Sequence, residues 1–246
     1  IYSADGSSLE LAYSQKTLNY TVPEGVERIA DGAFYELAPT NISVASTVTT
    51  LGRYALATNP FGPYSRIVRI SLPAGLTNIP EGLLQGCRFL ESLEIPAGVT
   101  NIEDEAFYYC LSLKSVKFPA GLVHIGENAF YECEKLENID LPGTLMEMDR
   151  YAFEKCYSLK RVTLPTGLKN ISYAVFSYCT GLEQIVIPST VTNIEGFAFN
   201  GCTSLGSLEL PDSVVSMGDF ALQNCKALTN LVIGAGYTGS LDGIKS

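Results

Sequence analysis

The seven cysteines of this chain, Cys87, Cys110, Cys133, Cys156, Cys179, Cys202 and Cys225, follow one another at intervals of 23 residues. Pro73, Pro96, Pro119, Pro142, Pro165, Pro188 and Pro211 keep the same step, and Pro23 opens an earlier unit. A repeat of this length marks a solenoid, in which each unit packs only on its neighbours. Seven cysteines aligned in this way need a positional explanation before a redox one.

One unit, PAGLVHIGENAFYECEKLENIDL from Pro119, shows the columns. Three residues after the proline stand Val99, Leu122, Leu145, Leu168 and Val191; six after it stand Ile102, Ile125, Met148, Ile171 and Ile194. An Ala-Phe pair follows at 106–107, 129–130, 152–153 and 198–199, and L-x-x-[LIV]-x-[LIVF]-P closes the unit. Val116 and Phe118 alternate with Ser115 and Lys117, the period of a strand with one buried face. Proline ends that strand because it has no amide proton for a further ladder bond. Ala129, Phe130 and Cys133 are spaced as one face of a short helical turn. Each unit is therefore expected to run strand, bend, second extended piece, helical turn and return.

One coil cannot bury enough apolar surface to offset the ordering of its own backbone, so the units must stack. Prolines or their substitutes at 23, 45, 73, 96, 119, 142, 165, 188 and 211 give about nine coils. At roughly 4.8 Å per parallel rung they make a body about 40 Å long. The expected organisation is an N-terminal cap over 1–17, a solenoid over 18–233 and a C-terminal tail or cap over 234–246. The solenoid is irregular at 38–66: Ala45 replaces the proline, Asn59 takes the cysteine place, and an insertion carries Phe61 and Tyr64.

Charge narrows the function. With 26 acidic against 16 basic residues the net charge is −10, which argues against nucleic-acid binding and against basic adhesion to an anionic membrane. No apolar run approaches the ~18 residues of a membrane helix, so direct insertion is not expected. The chain opens IYSADGSS, with no initiator Met and no signal peptide, and reads as a mature or excised fragment.

The pattern L-x-x-[LIV]-x-[LIV]-P-x-x-[LV]-x-x-I-x-x-x-A-F-x-x-C resembles the BspA-like (treponemal-type) leucine-rich repeat, over about residues 18 to 233. Leu83-Leu84, Val175-Phe176 and Leu222 depart from the Ala-Phe pair only by volume. The resemblance implies a leucine-rich repeat solenoid, a right-handed α/β coil with a parallel strand ladder on one face and short helical turns on the other. It also implies a cell-surface or extracellular setting in host-associated bacteria, binding or adhesion, and no catalytic residues.

Several motifs invite a chemical reading. HIGENAFYEC, residues 124–133, joins the only histidine to Glu127 and Cys133, as a thiol nucleophile or a metal site would. Yet His124 belongs to a variable polar column, Arg28, Thr50, Asn78, Asn101, His124, Glu147, Asn170, Asn193 and Ser216, and Cys133 to an apolar one. The cysteine column is expected to be structural: stacked rungs point their Cβ vectors in parallel, and buried thiols are poorly reactive. GAGYTG, 234–239, matches a dinucleotide fingerprint but lacks room for the helix that would hold a pyrophosphate, and reads as a terminal cap. N-x-[ST] triplets at Asn19, Asn41 and Asn170 matter only if the source glycosylates secreted proteins. No cofactor or metal is expected.

Two surfaces remain. The outward strand positions Arg69, Glu94, Lys117, Asp140, Arg161, Gln184 and Glu209 form a mixed-charge ladder on the face expected to be concave, unless that face is merely solvated. Tyr108, Tyr109, Tyr131 and Tyr178, with Tyr35 and Tyr157, lie outside the core columns, as interface tyrosines or as covers between adjacent turns. The leading expectation is a non-enzymatic adhesion or protein-protein interaction module of a bacterial surface or secreted protein. The alternatives are a carbohydrate-binding module using the tyrosines, or a structural spacer in a larger surface protein.

Overall fold

The computed structural model describes residues 1–12, 19–35, 37, 39–57 and 66–240. Among them, backbone pairing gives twenty short strands on two ladders. The first ladder uses the segment before each proline, as in Ser92–Glu94, Ser115–Lys117, Asn138–Asp140, Arg161–Thr163 and Gln184–Val186. The second uses the piece after it, as in Asn101–Ile102, His124–Ile125 and Glu147–Met148. The strands pair in parallel: Val116 stands on Leu93, Val162 on Ile139 and Ile125 on Ile102. The period of the cysteines is thus the register of the ladders. In the three-residue strands from Ser92–Glu94 to Gln184–Val186 the middle side chain is buried and its neighbours are exposed, as the alternation in the sequence requires.

The expected helical turns are not formed, and no helix occurs among the described residues. Between Gly126 and Leu136 the chain instead nests i→i+3 turns, with Ala129 N donating to Gly126 O, Tyr131 N to Asn128 O and Cys133 N to Phe130 O. The intervening amides leave the coil: Asn128 N donates to Arg150 O at 3.2 Å, Phe130 N to Ala152 O at 2.8 Å and Glu132 N to Glu154 O at 2.9 Å. Asn128 and Glu132 make this possible with left-handed backbone at φ 55° each. Tyr151 and Lys155, Ala174 and Tyr178, and Phe220 and Asn224 repeat the device in later coils. A helix would spend every amide inside its own coil. The alternation gives a third set of cross-coil bonds, and that gain displaces the helix.

Inside the three faces lies one continuous core. Phe107, Phe130, Phe153, Phe176 and Phe199 are at most 1% exposed and stack at centroid separations of 4.9 to 5.9 Å. Leu83, Leu84, Val175 and Leu222 are equally buried, so the departures from Ala-Phe are volume changes within this core. At the N-terminal end Ser8–Leu9 already pairs with Arg28–Ile29 on the second ladder. At the C-terminal end Thr238 N still donates to Val215 O. Asn59, Phe61 and Tyr64 lie outside the described residues. The second ladder is paired continuously from Asn78–Ile79 to Glu147–Met148 and restarts at Asn170–Ile171.

Candidate functional site

The residues of HIGENAFYEC separate once the coil is folded. His124 pairs in register with Asn101 and Glu147, the polar column read from the sequence, and its Nε2 lies 2.9 Å from Asp149 Oδ2. Cys133 is wholly buried, and its thiol donates to Phe107 O of the preceding coil at 3.4 Å. Among the described residues no group of three His, Cys, Asp or Glu side chains is placed to hold a metal. Glu127 binds Arg150 at 2.8 Å, and Glu132 binds Lys155 at 2.8 Å.

All seven cysteines are buried, and none is in a disulfide. Cys110, Cys156, Cys179, Cys202 and Cys225 repeat the bond of Cys133, each reaching a carbonyl of the coil before at 3.1 to 3.3 Å. Burial pushes the thiols of Cys110, Cys133, Cys156, Cys179 and Cys202 far above the usual thiol range, and that of Cys225 up to about 11. Such thiols are neutral at physiological pH and poor nucleophiles. Each thiol adds a second, weak donor to a buried carbonyl that already closes a turn in the coil before, as Phe107 O does by accepting Cys110 N at 3.2 Å.

The outward strand residues occupy two parallel columns. Glu94, Lys117, Asp140 and Glu209 stand in one, with Thr163, Val186 and Val232 at the same register. Arg161 and Gln184 stand in the other, beside Asn138, and Arg69 stands there beside Asn41. Lys117 Nζ meets Glu94 Oε1 at 2.5 Å, with both side chains more than two-thirds exposed. Solvent screening leaves such a pair worth at most about 1 kcal/mol. This face is a sheet carrying variable polar groups, and its exposed ion pair adds little to stability.

Three of the tyrosines come together. The ring centroids of Tyr108 and Tyr109 are 4.4 Å apart, those of Tyr108 and Tyr131 4.9 Å, and those of Tyr109 and Tyr131 5.8 Å. Lys155 Nζ sits 4.7 Å from the centre of the Tyr131 ring and also bonds its hydroxyl. Burial raises the hydroxyls of Tyr108 and Tyr131 above the ordinary phenol range. Tyr178 stands two coils further on, its ring laid against Gly201, where a Cβ would come within 2.9 Å of it. Thus Tyr178 covers a neighbouring coil, while Tyr108, Tyr109 and Tyr131 form a patch.

A second aromatic line went unread in the sequence. Tyr151, Tyr173, Phe197 and Phe220 follow one another on consecutive coils at 5.5, 5.5 and 5.1 Å, and Phe220 is 46% exposed. The signal was an aromatic one or two residues before the Ala-Phe position in each of the last coils.

Parallel ladders closed around Leu, Phe and Cys columns define a leucine-rich repeat solenoid of about nine coils. The chain belongs to the BspA-type leucine-rich repeat family, whose model matches it in six copies over residues 11–62, 57–183 and 169–240. Its fold is similar to that of a leucine-rich repeat protein from Eubacterium ventriosum (TM-score 0.62, 22% identity, 91% of this chain and 75% of that one). One from Bacteroides ovatus gives a TM-score of 0.60 at 21% identity, over 90% of this chain and 74% of that one. The T. pallidum leucine-rich repeat protein gives 0.57 at 23% identity, over 97% and 93%. No curated relative matches the chain.

Proposed function

We propose that this chain is a non-enzymatic interaction module of a bacterial cell-surface or secreted protein, binding a protein partner through the outward columns of the first ladder. The observation that carries the reading is the division of labour within one strand: Val116, Ile139 and Val162 face the core, and Lys117, Asp140 and Arg161 face solvent on a fixed spacing. Rigid rungs with variable outward residues suit an extended partner. Surface placement is supported by the family resemblance. The same proposal sets the repeat between residues 18 and 233.

The test is double charge reversal, Lys117→Glu with Arg161→Glu, measured against a partner captured from intact bacterial or host surfaces. The reading expects binding lost with the thermal midpoint unchanged; retained binding overturns it. A sugar-binding reading is favoured by one observation, the patch of Tyr108, Tyr109 and Tyr131. A glycan array without a signal that depends on these three rings would remove it. The spacer reading fails if the isolated chain binds any partner specifically.

A further inference from the structure

One coil boundary differs from its neighbours. In the other coils from Pro96 onward the amide seven residues after the proline closes the boundary on the second ladder by donating to the coil before. Gly126 N reaches Ile102 O at 2.8 Å, Asp149 N reaches Ile125 O at 2.9 Å, Glu195 N reaches Ile171 O at 2.8 Å, and Gly218 N reaches Ile194 O at 2.7 Å. At Ser172 the side-chain hydroxyl takes Met148 O, and the amide of Ser172 makes no bond among the described residues. Lys169 N likewise lacks the bond that Val123, Met146 and Thr192 donate to their preceding coils. The hydroxyl occupies the place of the amide, and Glu147–Met148 and Asn170–Ile171 are not paired.

The other two faces stay closed at this boundary. Arg161 pairs with Gln184 on the first ladder, and Phe153 N donates to Val175 O at 3.0 Å on the third. The gap is therefore a slot opening on one face, about 770 Å³ in volume. Four carboxylates line it, Glu127, Glu147, Asp149 and Glu195, against the cations Arg150 and Lys169. Arg150 is neutralised by Glu127. Glu147 has no hydrogen bond or ion pair through its carboxylate among the described residues. Met146, 58% exposed, stands at the mouth, and Met148, 2% exposed, forms the floor.

We propose that this slot receives an arginine side chain of a protein partner. Two thioethers suit the alkyl stem, and the free Met146 carbonyl and the Glu147 carboxylate suit the planar, multiply donating guanidinium. The excess of carboxylates selects a cation, and a guanidinium can donate to the carbonyl and the carboxylate at once where an ammonium presents a single point charge. The partner class rests on the interaction-module reading, but the slot is a separate surface from the first ladder, so either can fail without the other.

The test titrates the whole chain with N-acetyl-arginine methylamide, following backbone amides by NMR. The lysine and citrulline analogues serve as charge and shape controls. The slot predicts saturable shifts at residues 146–150 and 169–172, weakened about five-fold by Glu147→Gln. It predicts no such shifts with citrulline. Ser172→Gly, which restores the residue type found at Gly126 and Gly218, closes the ladder and abolishes the shifts. The proposal is overturned by an absence of saturable shifts, by citrulline or lysine binding as tightly as arginine, or by undiminished binding in Ser172→Gly. Reversal at Lys117 and Arg161 leaves the slot intact, so its outcome reads the module alone.

Discussion

A cysteine in this chain fills a buried core column and lends a second donor to one carbonyl of the coil before. Cys133→Ala removes the second donor to Phe107 O, which keeps Cys110 N, and opens a small cavity, at a cost of about 1 kcal/mol. Cys133→Ser keeps a donor and costs less, as urea unfolding of the two variants would show. The thiols also set an alkaline limit. Their folded pKa values lie above the unfolded value, so their contribution is complete below that value and is lost as pH rises beyond it. Each thiol steepens the loss by about 1.4 kcal/mol per pH unit once the unfolded chain ionises, near pH 8.5. Unfolding midpoints are therefore level from pH 6 to 8 and fall sharply above 9. A level profile through pH 10 would contradict the ladder of protonated thiols. This column was legible in the sequence because a core position repeats with its coil, and His124 was legible as outside it for the same reason.

At the scale of the element, the spacing of Ala129, Phe130 and Cys133 fits a helical turn and a set of nested turns equally well. What separates them is where the amides of Asn128, Phe130 and Glu132 go, and that is decided by a coil 23 residues away. Local periodicity therefore could not reveal it. The difference has a thermodynamic sign. At a left-handed position glycine is favoured over alanine by about 1 kcal/mol, whereas inside a helix alanine is favoured by a similar amount. Asn128→Gly is thus expected to be more stable than Asn128→Ala in matched urea titrations; the reverse order would restore the helix. Gly201→Ala tests the same geometry from its neighbour. It adds a Cβ at φ 74° within 2.9 Å of the Tyr178 ring, and a loss of about 1–3 kcal/mol follows, read as a lower thermal midpoint.

For the whole molecule, the parallel stack, the register and the core columns followed from the period alone, because each coil's inner face must match the next. The outer face has no such constraint. Lys117 stands two residues before its proline and Arg161 four, so they belong to different columns, a distinction the sequence contained and the ladder made visible. The slot beside Ser172 was not legible, since a serine among glycine, aspartate and glutamate in a polar column signals nothing until its hydroxyl is seen to displace an amide. Folding and recognition are thus written in separate columns of the same repeat. The direct measurement is to determine the unfolding free energy and the partner affinity on the same two variants, Phe130→Leu and Arg161→Glu. The account predicts that Phe130→Leu lowers stability by about 1–2 kcal/mol with affinity unchanged, and that Arg161→Glu leaves stability unchanged and weakens binding. Affinity that survives Arg161→Glu, or that falls in a fully folded Phe130→Leu, would contradict it.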